Sequence, residues 1–195
     1  MDIALQVVPA RSLGEDRAAV FSVPDGLLLV VADGAGGTSG GAVAAEAVLS
    51  QARAFVPTSA ADCVQFLAEL DLQLRAIGQT TAVIVSVANG QLVGASVGDS
   101  GAWLVSPSSF VDLTEHQNRK PLLGSGLAKP VGFGPRPVTG RVLVGSDGLF
   151  KYIAHERIRE LTTVPVLARS AAALVDAARL RSGALQDDVA VIVAG

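Results

Sequence analysis

The sequence predicts an α+β fold in which antiparallel sheets carry packed helices. Strand-length apolar runs come as neighbours joined by Asp25-Gly26 and Asn89-Gly90, two-residue turns with hairpin chemistry. Two alanine- and leucine-rich stretches between these hairpins repeat at helical spacing. Strands and helices do not alternate strictly, as a doubly wound parallel sheet would require.

In chain order, residues 3–8 form a first strand, and 18–23 and 27–32 form a hairpin across Asp25-Gly26. A glycine-dense loop over 33–41 leads into an alanine-rich helix over 41–55, with Val43, Ala47 and Val48 at helical spacing. Pro57-Thr58-Ser59 breaks that helix and starts a second, which runs to about Ile77 with Val64, Leu67, Leu70, Leu74 and Ile77 on one face. Residues 81–88 and 91–97 form a hairpin across Asn89-Gly90, and 102–106 pairs with 110–113. From 114 to 140 the pattern dissolves into glycine, proline and scattered charge, a long irregular segment of the kind that often serves function. A strand over 141–145 ends at Ser146-Asp147-Gly148; short helices follow near 155–161 and 166–181, and 189–193 closes as a strand. No repeat, low-complexity tract or linker divides the chain, so one domain over 1–195 is expected.

Composition narrows the function classes. The chain has 195 residues, 50% of them apolar and 17% charged, which excludes a disordered chain. Fifteen basic against eighteen acidic residues give a net charge of −3, and no basic run argues for nucleic acid. Cys63 is the single cysteine, so no intrachain disulfide forms; with only His116 and His155 besides, a Cys/His zinc site is not expected. The uncharged stretch 76–98 is not a membrane span, because Gln79, Thr80, Thr81, Asn89 and Gln91 interrupt it. Met1-Asp2-Ile3 lacks the basic start and apolar core of a signal peptide, which places the protein in a reducing cytoplasm, away from membranes.

The acidic residues are unevenly placed. Glu15-Asp16, Asp33, Asp99, Asp147 and Asp187-Asp188 each lie beside a strand end or turn. Asp33 and Asp147 each follow an apolar strand and precede glycine, which holds a carboxylate on rigid backbone and lets a ligand approach. Asp25-Gly26 is read as a turn and nothing more. Converging carboxylates repel one another unless a cation sits between them. With so little histidine and cysteine, the ligands are oxygens, which suits Mg²⁺ or Mn²⁺. Two such ions about 4 Å apart hydrolyse phosphate esters by lowering the pKa of a water and aiming it at phosphorus. Such a site needs a cationic clamp for phosphate, and Arg11, close before Glu15-Asp16, is the candidate.

Six segments in order resemble the metal-dependent type 2C protein serine/threonine phosphatases (PPM) in their small bacterial form. Arg11-Ser12-Leu13-Gly14-Glu15-Asp16 resembles the opening Arg-x-x-Asn-Glu-Asp element, and Val31-Ala32-Asp33-Gly34-Ala35-Gly36-Gly37 resembles Val-Ala-Asp-Gly-Met-Gly-Gly. Val97-Gly98-Asp99-Ser100-Gly101-Ala102 resembles Val-Gly-Asp-Ser-Arg-x, and Leu113-Thr114-Glu115-His116 resembles Leu-Thr-x-Asp-His shortened by one position. Gly145-Ser146-Asp147-Gly148-Leu149-Phe150 resembles Ser-Asp-Gly-Leu-Trp, and Asp187-Asp188-Val189-Ala190-Val191-Ile192-Val193 resembles Asp-Asn-Ile-Thr-Val-Ile-Val.

The resemblance implies a four-layer α-β-β-α sandwich of two antiparallel sheets flanked by helices. It implies that Asp33 bridges two Mn²⁺ or Mg²⁺ ions, that the Gly34 carbonyl binds one, and that Asp147 and Asp187 complete the second position. Glu15 and Asp16 would act near the metals, partly through water; Asp99 with Asp147 would match a weaker third position; Arg11 would hold the substrate phosphate. The implied substrate is a phosphoserine or phosphothreonine protein, within a Ser/Thr kinase system.

The chain departs from the family pattern in several places. Gly101 replaces an arginine, Lys151 stands where aspartate often does, Asp188 replaces asparagine, and Ala35 stands where some members carry histidine. The stretch between 114 and 141, which carries a mobile flap in the family, is short. That shortening keeps a second reading open, a non-catalytic module that binds a phosphoprotein or regulatory partner. A nucleotide-phosphate loop over 34–41 is disfavoured, since it holds no lysine at the required spacing. Cys63, Trp103 and Phe110 are expected to pack, His155 to lie at the surface, and His116 is a candidate to line the site.

Overall fold

The computed structural model describes residues 1–35 and 39–195; the middle of the glycine-dense loop lies outside them. Strand β1 is Ile3–Val8, β2 is Asp16–Val23 and β3 is Gly26–Ala35. Helix α1 spans Ser39–Ala52 and α2 spans Ala60–Gln73, which a single 3₁₀ turn extends over Leu74–Ala76. Next come β4 at Gln79–Thr80, β5 at Ala82–Ala88, β6 at Gln91–Val97, β7 at Gly101–Val105 and β8 at Phe110–Asp112. Then follow β9 at Val131–Pro137, β10 at Arg141–Gly145, a four-residue helix α3 at Asp147–Phe150, α4 at His155–Thr162, α5 at Leu167–Ala177 and β11 at Val189–Ala194.

One sheet runs β1-β11-β10-β7-β8 and the other β2-β3-β5-β6-β9, all pairs antiparallel, with β4 beside β3. Strand alternation sorts the apolar residues into layers. On β3, Leu28, Val30 and Ala32 face α1 and α2, while Leu29 and Val31 face the other sheet. On β11, Val189, Val191 and Val193 face α4 and α5, while Ala190 and Ile192 face the seam between the sheets. Both faces are buried, which is why these strands read as unbroken apolar runs. The result is the expected α-β-β-α sandwich, with a central seam of small and β-branched side chains such as Val83, Val85, Ala102, Val142 and Val144.

Helix α2 starts at a capping box: the Ser59 side chain accepts from the Asp62 N–H, and the Asp62 side chain accepts from the Ser59 N–H. Its buried stripe holds Leu67, Leu70 and Leu74, each worth about 1.5–3 kcal/mol of burial. Val64 is half-buried and Ile77 exposed, so the expected face is narrower at its ends. Cys63 is buried, and burial pushes its thiol up to about 12. Trp103 and Phe110 stack at 4.3 Å, and exposed His155 meets the Trp103 ring edge-on.

The expectation of no regular structure over 114–140 is corrected by β9, which pairs with β6. Its sequence, VGFGPRP, hides a strand because glycine and proline punctuate it. An edge strand tolerates them, since its outer N–H groups need no ladder partner.

Candidate metal and phosphate site

The two-residue hairpin turn falls at Pro24-Asp25, one position before the expected Asp25-Gly26, because Gly26 already pairs with Val23 in the ladder; it sets the register of β2 on β3, and that register places Asp16 opposite Asp33. Like charges directly opposite each other on a sheet are destabilising, so the pair asks for a compensating charge. The Asp33 backbone is held rigidly. Its N–H donates to Thr81 Oγ1 at 3.0 Å, and its carbonyl accepts from the Thr81 N–H at 2.8 Å and from Thr80 Oγ1 at 2.9 Å. Gly34 follows because α1 begins there: a Cβ on Gly34 would stand 2.4 Å from the Gly41 carbonyl carbon. A Cβ on Gly41 would in turn meet Glu15 Oε1 at 2.8 Å, which places the Glu15 side chain against the first turn of α1.

The other sheet supplies the facing groups. Asp147 opens α3 at the end of β10, and Asp187 precedes β11. Asp99 follows β6 on the turn into β7. Ser146 takes the N-cap position of α3, yet its hydroxyl makes no cap bond. It instead accepts from the Ala190 N–H at 3.0 Å and reaches the Asp16 carboxylate. Asp33, Asp99, Asp147 and Asp187 line one cavity of about 240 Å³, with Arg119 and Lys120 at its edge. Asp16 is buried behind it, and its Oδ2 has no hydrogen-bond partner among the described residues.

Burial pushes the Asp33 carboxyl up to about 9, reinforced by Asp16, Asp147, Asp187 and Asp99. Burial pushes Asp16 up to about 7, with Asp188 and Asp147 adding and the Ser146 hydrogen bond opposing. Asp147 is raised by burial and then by Asp99 and Asp187, while Lys151, 3.9 Å away, and Arg119 offset part of this. An all-oxygen donor set with an orphaned buried carboxylate oxygen fits a hard divalent cation. Among the described residues no three acidic, His or Cys side chains already gather tightly enough to hold an ion.

Arg11 does not line the carboxylate cavity. It lines a neighbouring one of about 580 Å³ with Gly14, Glu15, Arg17 and Asp188, and the two cavities meet at Asp187. Asp188 directs both oxygens to backbone: Oδ1 accepts from the Ala10 N–H at 2.7 Å and Oδ2 from the Glu15 N–H at 2.6 Å. The Asp188 carboxylate thus fastens the loop that carries Arg11. His116 is exposed, pairs with Glu115 at 3.3 Å, and lines neither cavity.

Two residues of this region carried no motif. Arg119 Nη2 bonds Asp99 Oδ2 at 3.1 Å, and nothing in the sequence marks that arginine. Asp71 is buried and accepts the N–H groups of Gly124, Gly126 and Ala128. Its signal was available, because it falls on the apolar stripe of Leu67, Leu70 and Leu74.

No protein-family model and no curated protein matches the sequence. Solved structures match across the whole chain. A bacterial serine phosphatase superposes with a TM-score of 0.85 at 21% identity, covering 99% of this chain and 96% of that one. The serine/threonine phosphatase Stp1 from Staphylococcus aureus gives 0.81 at 20% identity, covering 100% and 94%. The catalytic domain of the serine threonine protein phosphatase PstP, solved in complex with two manganese ions, gives 0.80 at 23% identity, covering 98% and 96%. The chain has the fold of these serine/threonine phosphatases.

Proposed function

We propose that the chain is a single phosphatase-like domain over residues 1–195 that hydrolyses phosphoserine or phosphothreonine on proteins with two Mn²⁺ or Mg²⁺ ions. The observation that carries this reading is the cross-strand pair Asp16 and Asp33, faced by Asp147 and Asp187 from the other sheet. A phosphatase of the same fold solved with two manganese ions supports it.

Asp33, the Gly34 carbonyl, Asp147 and Asp187 would hold the ions, with Glu15 and Asp16 near them, partly through water. When bound, the ions supply an activated water and neutralise charge on the phosphoryl oxygens. Arg11 binds the phosphate from the adjoining cavity, on a loop that Asp188 fastens at Ala10 and Glu15. Thr80 and Thr81 hold the Asp33 backbone in place, so little reorganisation is needed there. The substrate is a phosphorylated protein from a Ser/Thr kinase system in the cytoplasm. Among the described residues, no helix is long and apolar enough to cross a membrane.

The test is hydrolysis of p-nitrophenyl phosphate by purified protein across a Mn²⁺ series with a chelator control. Turnover that rises with Mn²⁺ and disappears with chelator is expected. Folded protein with no turnover at any metal concentration overturns the reading in favour of the non-catalytic binding module.

A further inference from the structure

The segment between β8 and β9 is short, and its backbone is fastened at several points. Asp71 Oδ1 accepts from Gly124 and Gly126 at 2.8 and 2.9 Å, and Oδ2 accepts from Ala128 at 3.0 Å. Leu123 and Thr80 exchange backbone hydrogen bonds of 3.1 and 3.2 Å. The Gln117 amide donates to the Ser100 carbonyl at 2.8 Å, and the Asn118 carbonyl accepts from the Gly98 N–H at 3.2 Å.

Arg119 lies between these fastenings and bonds Asp99 at the rim of the carboxylate cavity. Among the described residues it is the only arginine in an ion pair with a carboxylate of that cavity. A solvent-facing ion pair on a loose loop holds weakly, because ordering both partners opposes it. Here the backbone order is already supplied by the rim. The guanidinium stays charged at every accessible pH, so it repels a divalent ion approaching Asp99 under all working conditions.

We propose, on the two-cation reading above, that Arg119 is a built-in cation of the centre. It commits Asp99 to a guanidinium and thereby limits the chain to two divalent ions, closing the third position that Asp99 and Asp147 would otherwise form. The rim that carries it is a fixed part of the site, in place of a mobile flap.

The experiment counts bound Mn²⁺ per chain by the electron paramagnetic resonance signal of free Mn²⁺, on the wild type, R119Q, R119A and the double variant R119A/D99N. Two ions are expected on the wild type, three on R119Q and R119A with the third the weakest, and two again on R119A/D99N. Three ions on the wild type, or two on both single variants, overturns the proposal while leaving the two-cation reading intact. No Mn²⁺ on folded wild type overturns both, and the count therefore separates the two failures.

Discussion

Asp71 and Asp33 are both carboxylates withdrawn from water, one on the last turn of α2 and the other near the end of β3, and their surroundings differ in kind. Asp71 receives three backbone N–H groups and has no acidic neighbour among its hydrogen-bond partners. Asp33 faces Asp16, Asp99, Asp147 and Asp187, and burial with their repulsion drives its carboxyl up to about 9. The first arrangement satisfies a charge at the moment of folding. The second holds protons in place of charge until a stronger cation arrives. A buried carboxylate with a full set of donors is a fastener, and one surrounded by its own kind is a receptor.

The sharpest way to break this comparison is Asp33→Asn. Turnover should fall about a thousandfold, as for loss of a central electrostatic group. The metal-free variant should melt at a higher temperature than the metal-free wild type at neutral pH, because the amide is neutral without having to take up a proton. Phosphatase assays and thermal melts in chelator read both, and a lower melting temperature would place Asp33 with the fasteners. Asp71→Ala should do the reverse. It leaves three rim N–H groups without their acceptor and should lower stability by about 3 kcal/mol in urea unfolding. Unchanged stability would remove Asp71 from the fastener class.

Arg11→Ala is a smaller test of the adjoining cavity. It should raise KM for a phosphate ester about tenfold with kcat nearly preserved, the signature of lost uniform binding. An unchanged KM would take Arg11 out of the phosphate clamp. A further test is the pH dependence of stability. With Asp33 at about 9 and Asp16 at about 7 against 3.8 unfolded, the folded metal-free chain holds protons that the unfolded chain has released. Its stability is therefore full below about pH 4 for these groups and declines as pH rises toward 9. Thermal melts in chelator should fall across that window, and saturating Mn²⁺ should remove the decline by replacing the protons.

Much of this was legible in the residues. The hairpins were readable because Asp25 and Asn89 admit positive φ, and both have it, at 59° and 51°, although the first turn sits one position early, at Pro24-Asp25, and Gly26 already belongs to β3. The turn positions also contained the register that sets Asp16 against Asp33, although only the ladder made the pairing visible. Strand β9 was hidden because edge position, which tolerates Pro135 and Pro137, is a property of the sheet and not of the segment. The carboxylates Asp33, Asp99, Asp147 and Asp187 were found from their places at strand ends, and the structure gathers them around one cavity. Arg119 could not be found that way, since its place depends on the path of a loop fixed by distant Asp71 and Gln117.

The apolar seam between the sheets has a metrological consequence. Asp16 and Asp33 ride on one sheet, while Asp147 and Asp187 ride on strand ends of the other. The span between these two sets is then fixed by the thickness of the packed layer of Val31, Val83, Ala102, Val144 and Ala190 beneath them. The sandwich is a calliper whose jaws end in carboxylates, and its setting is written in methyl groups. Because such layers neither compress nor gape without penalty, a single carbon added deep in the seam is read out as a wrong gauge between the facing carboxylates.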